Sequence, residues 1–119
     1  MSRTIAVDLG GTHIRVAAYE PNSTKPLSQK RTKTLANEPG VFDRLVHAIE
    51  SVWQADAVAI GIASPGPLDP HTGTILETPN IKEWVNFPLA PKLAEYFGVP
   101  VYLDNDANMA GLAEWQFGV

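Results

Sequence analysis

An α/β fold, with a mixed sheet of about five strands and helices packed on it, is predicted by three observations in the 119-residue sequence. Two alternating apolar runs flank a glycine pair at the amino end, which reads as an antiparallel hairpin. A continuous small-apolar run, AVAIGIA at 57–63, reads as a strand covered on both faces, as in parallel sheets. Apolar residues at spacings of three and four after residue 40 read as a crossover helix. A meander joined to βαβ crossovers implies a mixed sheet.

The elements follow in order. Residues 4–9 and 13–20 form the paired strands, with Gly10 and Gly11 at the tip, where both glycines can take positive φ. In the second strand Ile14, Val16 and Ala18 alternate with Arg15, Ala17 and Tyr19. Residues 21–26 begin and end in proline and read as a turn. Residues 27–34 are polar, and their lysines and arginine suit an edge strand. A helix is expected to open at Glu38-Pro39, since proline is tolerated in a first turn. Its stripe is Val41, Phe42, Leu45, Val46, Ile49, Val52 and Trp53. After the strand at 57–63 come a proline-rich loop, a short strand at 74–77 and a helix at about 89–97. Gly98 caps that helix and Pro100 lies beyond it. Residues 101–103 form a last strand, and a helix is expected over 106–117 with Asn105 as its N-cap.

The totals set bounds. The length allows one core, not two of ordinary size. The net charge of −4 disfavours nucleic acid and anionic membrane as partners. No run approaches the ~18 apolar residues of a membrane span. The start has one arginine and no long apolar region, as expected of a cytoplasmic chain without a signal peptide. Without cysteine there is no disulfide or thiolate metal site, and the three histidines lack zinc-ligand spacing. Met109, Leu112, Ala113 and Trp115 need a surface to pack on, so a second domain is expected beyond this chain.

Four stretches carry chemistry. DLGGT at 8–12 places an acid before two glycines and a hydroxyl after them. Glycines let a ligand approach the backbone, and bare N–H groups there suit phosphate oxygens. Asp8 suits magnesium held through water, and Thr12 can donate to a phosphate. The stretch is neither a Walker loop nor a Rossmann fingerprint, and a tight hairpin with a solvated acid reads equally well. ASPGPLDPHTG at 63–73 follows a buried strand, at the carboxyl end where open α/β sheets bind ligands; it reads also as a plain proline-rich loop. TPNIKEW at 78–84 offers Asn80, whose amide both donates and accepts as a sugar hydroxyl requires, although ordinary turns use asparagine too. DNDAN at 104–108 gathers two carboxylates and two amides at a strand-to-helix junction. Helix capping accounts for one of those residues, not four. Spacing alone leaves open whether Asp104 or Asp106 serves as a base. Asp106, in a first helical turn, feels the positive end of the helix dipole.

Taken in order, these motifs resemble the ROK (repressor, open reading frame, kinase) family of sugar kinases, most closely its bacterial glucokinase-like members. VDLGGTHIR is similar to the family's first phosphate motif, GIASPGPLDPHTGTI and TPNIKEW to its next two blocks, and VYLDNDANMAGLAEWQFG to the block around its catalytic aspartate. The resemblance implies a ribonuclease H-like lobe of the actin and hexokinase type, one of two that close over ATP and sugar. By resemblance, Asp8, Gly10, Gly11 and Thr12 face the ATP phosphates, with Asp8 toward Mg2+. Gly66, Asn80 and Asn105 contact sugar hydroxyls, and Asp106 takes the proton from the attacking hydroxyl. The implied substrates are a hexose, glucose above all, and ATP. The family's second lobe, with its zinc site and further sugar-binding residues, is absent from these 119 residues, so zinc is not expected here. Full-length members are often homodimers. Only three residues precede the first strand, which the resemblance reads against the family's alternative, a non-catalytic sugar-sensing transcriptional regulator.

Overall fold

The computed structural model of the chain describes residues 2–21, 23, 25–64, 67–78, 81, 82 and 84–105. The expected helix over 106–117 lies outside them. Five strands form the main sheet: β1 (Arg3–Leu9), β2 (His13–Tyr19), β3 (Ser28–Lys33), β4 (Ala57–Ala63) and β8 (Val101–Asp104). Their order is β3-β2-β1-β4-β8. The first three are antiparallel neighbours, while β1, β4 and β8 are parallel. The mixed sheet is therefore the one expected, with polar β3 at its edge.

Helix α1 (Val41–Glu50) crosses from β3 to β4, and α2 (Leu89–Phe97) crosses from β4 to β8. Both crossovers step in the same direction along the sheet. Right-handed crossovers then put both helices on one face. The side chains agree. Ile5, Val7, Leu9, Ile14, Val16, Ile60, Ile62 and Leu103 join one buried cluster with Leu45 and Ile49 of α1 and Leu89 and Leu93 of α2. The opposite face carries small side chains: Ala6, Ala17, Ala59 and Ala63 are buried but lie outside that cluster. Both described helices thus cover a single face. Tyr19 shares the small-residue face in register with Thr4, and burial pushes its phenol above the ordinary tyrosine range.

A second, three-stranded antiparallel sheet follows the loop after β4: β5 (Leu68–Asp69), β6 (Thr74–Glu77) and β7 (Val85–Phe87), in the order β5-β6-β7. Only β6 was expected. Trp84 stacks on Phe87 with ring centroids 4.6 Å apart, and Phe42 of α1 meets Phe87 edge-on at 6.0 Å. The small sheet is thereby fixed to the helical layer.

Gly73 joins β5 and β6 to α2. It lies at φ +71, its carbonyl accepts from the Ala90 N–H at 3.0 Å, and an added Cβ would overlap the Ala90 methyl. Gly98 has a similar φ of +72, but nothing stands within 4 Å of where its Cβ would be. Gly73→Ala is therefore expected to destabilise the fold by about 2–5 kcal/mol, combining left-handed strain with overpacking. Gly98→Ala should cost only about 1–2 kcal/mol. Urea titration of the two variants measures the difference, and equal midpoints would contradict this account of Gly73.

Candidate functional site

The carboxyl ends of β1, β4 and β8 lie along one edge of the sheet. Asp8 is paired in register with Ala63, and Ala63 with Asp104. Residues in register share a face, so Asp8 and Asp104 stand on the same side, two strand spacings or about 10 Å apart. The loops leaving these strands begin at Gly10, Ser64 and Asn105. This edge gathers the first, second and fourth chemical stretches of the sequence.

The hairpin tip is built by pairing rather than by left-handed glycines. The last strand pair is Leu9 with Ile14. Beyond it the Gly10 N–H donates to the His13 carbonyl at 2.9 Å, so Gly11 and Thr12 are the two central residues. The expected positions were one residue earlier. Gly10 is not among the left-handed glycines, which among the described residues are Gly40, Gly73 and Gly98. What favours glycine at 10 is the His13 carbonyl oxygen, 3.0 Å from where a Cβ would stand. Thr12 is exposed at the tip, and Asp8, one residue before the β1 end, is half-buried. Among the described residues the Asp8 carboxylate makes neither an ion pair nor a hydrogen bond.

The tip is also held from outside. β3 runs parallel to β1, so its carboxyl end reaches the same edge, with Lys33 in register with His13. Just past it, the Thr34 N–H donates to the Thr12 carbonyl at 2.9 Å and the Thr34 hydroxyl to the Gly10 carbonyl at 2.7 Å. Thr34 is fully buried. In the sequence it stands at the end of the expected edge strand over 27–34, outside the four chemical stretches.

At the other end of the row, Asp104 closes β8 and Asn105 is exposed. The Ser64 N–H donates to the Asp104 carbonyl at 2.9 Å, tying the loop after β4 to the β8 end. The Asp104 carboxylate turns back on its own chain and accepts from the Asn105 N–H at 2.6 Å. The loop after β4 is anchored again at Pro67, whose carbonyl accepts from Leu76 at 3.1 Å. Gly66, Asn80 and Asp106 lie outside the described residues. Their described neighbours are Pro67 in that anchored loop, buried Thr78 and Ile81, and Asn105. Among the described residues no three His, Cys, Asp or Glu side chains are close enough to cage a metal, and no helix is long and apolar enough to cross a membrane.

Known proteins are similar to this chain in sequence and fold. The ROK family model matches residues 4–119. Glucokinase of Thermotoga maritima is 34% identical over 120 residues, covering 98% of this chain and 37% of the relative. A putative xylose repressor of Caldicellulosiruptor is 35% identical, covering 96% of this chain and 30% of the relative. The solved structure of a ROK family glucokinase from Streptomyces griseus, in complex with glucose and AMPPNP, superposes with a TM-score of 0.80 at 33% identity, covering 99% of this chain and 38% of that one. The chain thus spans about a third of the length of the relatives it matches. On the family match over nearly its whole length, and on a fold shared with the solved glucokinase, the chain belongs to the ROK family.

Proposed function

We propose that this chain is the amino-terminal lobe of a two-lobe kinase that transfers the γ-phosphoryl group of ATP to a hexose hydroxyl, with glucose the expected acceptor. One observation carries the reading: the glycine tip with Asp8, and the acid-and-amide stretch beginning at Asp104, sit along one sheet edge about two strand spacings apart. That separation suits a polyphosphate gripped at one end and a sugar held at the other.

Phosphoryl transfer asks mainly for positioning and charge stabilisation. The backbone of Gly10 and Gly11 offers close approach to phosphate oxygens, and the Thr12 hydroxyl is free to donate. A lone strand-end carboxylate beside phosphates is a donor set Mg2+ accepts, because this cation keeps several waters and takes one or two carboxylates; Asp8 fits it. When bound, the cation supplies neutralisation of the phosphate charge. Gly66, Asn80 and Asn105 are assigned to the sugar hydroxyls. Asp106 is assigned to the attacking hydroxyl, whose oxygen bonds the γ-phosphorus as the bond to the bridging β–γ oxygen breaks. The hydroxyl proton passes to Asp106, and ADP departs.

The repressor among the relatives favours a second reading, a sugar sensor without catalysis. A coupled ADP assay separates the two. With the second lobe present, sugar-dependent ADP release is expected, with glucose preferred over N-acetylmannosamine, N-acetylglucosamine and fructose. The 119 residues alone offer half a cleft and leave water in it, so they should give no measurable turnover. Sugar binding without any ADP release by the two-lobe protein would support the sensor instead.

A further inference from the structure

We infer that Thr34 is a positioning residue for the phosphate site, aiming the backbone of the hairpin tip, and that Arg44 holds Thr34 in place; this rests on the kinase reading above. A peptide unit is planar and trans, so its C=O and N–H point opposite ways. The Gly10 carbonyl is drawn to the Thr34 hydroxyl at 2.7 Å. The Gly11 N–H, in the same peptide unit, therefore points away from Thr34. The Thr12 carbonyl is drawn the same way by the Thr34 N–H at 2.9 Å. Two tip carbonyls are thus turned back toward the protein, which keeps their negative ends away from an incoming phosphate.

Thr34 is itself clamped. The Arg44 guanidinium, reaching back from the first turn of α1, donates from Nε to the Thr34 carbonyl at 2.7 Å. It also donates to the carbonyls of Pro39 at 2.8 Å, Leu35 at 2.9 Å and Glu38 at 3.1 Å. Its rigid fork of donors suits this task, and a lysine could not match it. Leu35, next to Thr34, sits at φ +52, a left-handed conformation rare for leucine. Such strain persists only where neighbours over-determine it. Here it is imposed beside Thr34, which among the described residues is the side chain that grips the tip.

Thr34→Val keeps the shape and removes the hydroxyl, leaving the Gly10 carbonyl without its donor. In the two-lobe protein we expect the MgATP KM to rise roughly tenfold, the scale of an unsatisfied buried polar group, with the sugar KM within about twofold. Thr34→Ser, which restores the hydroxyl, should return the MgATP KM to near its original value. Amide exchange at Gly10, whose N–H is protected by the His13 carbonyl, should quicken in the Val variant and not in the Ser variant, while β4 amides stay protected in both. Arg44→Gln should shift the same two readouts in the same direction. Unchanged MgATP KM and Gly10 exchange in Thr34→Val would overturn the inference. So would equal losses for sugar and nucleotide, or a Ser variant no better than Val, since those mark a merely structural role. If the parent protein shows no turnover, the kinase reading fails, and Gly10 exchange still decides whether Thr34 orders the tip.

Discussion

In the two-lobe protein, Asp106→Ala is expected to lower kcat by about 10²–10⁴-fold, the usual worth of a positioned general base. The glucose KM should change little, because the hydroxyls are assigned to Gly66, Asn80 and Asn105. Asp104 is the competing carboxylate, and the structure gives it other work. Its side chain accepts the Asn105 N–H at 2.6 Å, and its carbonyl accepts the Ser64 N–H at 2.9 Å. It shapes the turn out of β8 and ties the β4 loop to it. Asp104→Ala should therefore cost about tenfold or less in kcat, the scale of one or two lost hydrogen bonds. Steady-state kinetics on the two variants compare them directly. Near-normal turnover in Asp106→Ala would refute its role as base, and equal losses would remove the distinction between the two acids.

Asp8→Asn is the second large effect expected. The substitution keeps the shape of the side chain and removes its charge, at a residue with no described ion pair to lose. A purely structural Asp8 would therefore tolerate it. As a phosphate- and cation-facing carboxylate it should not, and kcat/KM for MgATP is expected to fall by about 10²–10³-fold, as when one fixed electrostatic group is removed from a transition state. The Mg2+ concentration needed for half-maximal rate should rise in parallel, while the sugar KM stays close to its parent value. Kinetics at varied Mg2+ make the measurement. A variant with unaltered Mg2+ dependence would remove Asp8 from the phosphate site.

Much of this lobe was legible in the sequence where one periodicity dominated. Period-2 alternation marked β2, a run of small apolar residues marked β4, and Gly98 marked the end of α2. The α1 stripe identified the packing face, and Val52 is buried as expected, although the helix ends at Glu50. Its start was misplaced because the carbonyls of Glu38 and Pro39 are claimed by the Arg44 side chain, and Gly40 at φ +92 begins the helix instead. β5 and β7 have two and three residues, too few for any pattern, and exist only by pairing with β6.

The site divides in the same way. Acid, glycine and hydroxyl types at a strand end could be read locally. The in-register row from Asp8 through Ala63 to Asp104 joins residues up to 96 positions apart (104 minus 8) and needs the strand order. Thr34 was missed because its partners come from two separate segments, the hairpin tip with Gly10 and Thr12 and the first turn of α1 with Arg44, and nothing beside it in the chain announces them.

The most direct test of the single-groove claim is an amide chemical-shift map of the two-lobe protein with Mg–AMPPNP and with glucose. The nucleotide analogue should move Gly10, Gly11 and Thr12, and glucose should move Asn105 and its neighbours, with both sets responding when the ligands are added together. Nucleotide-induced shifts that cluster away from the hairpin tip, with residues 8–12 unmoved, would contradict it.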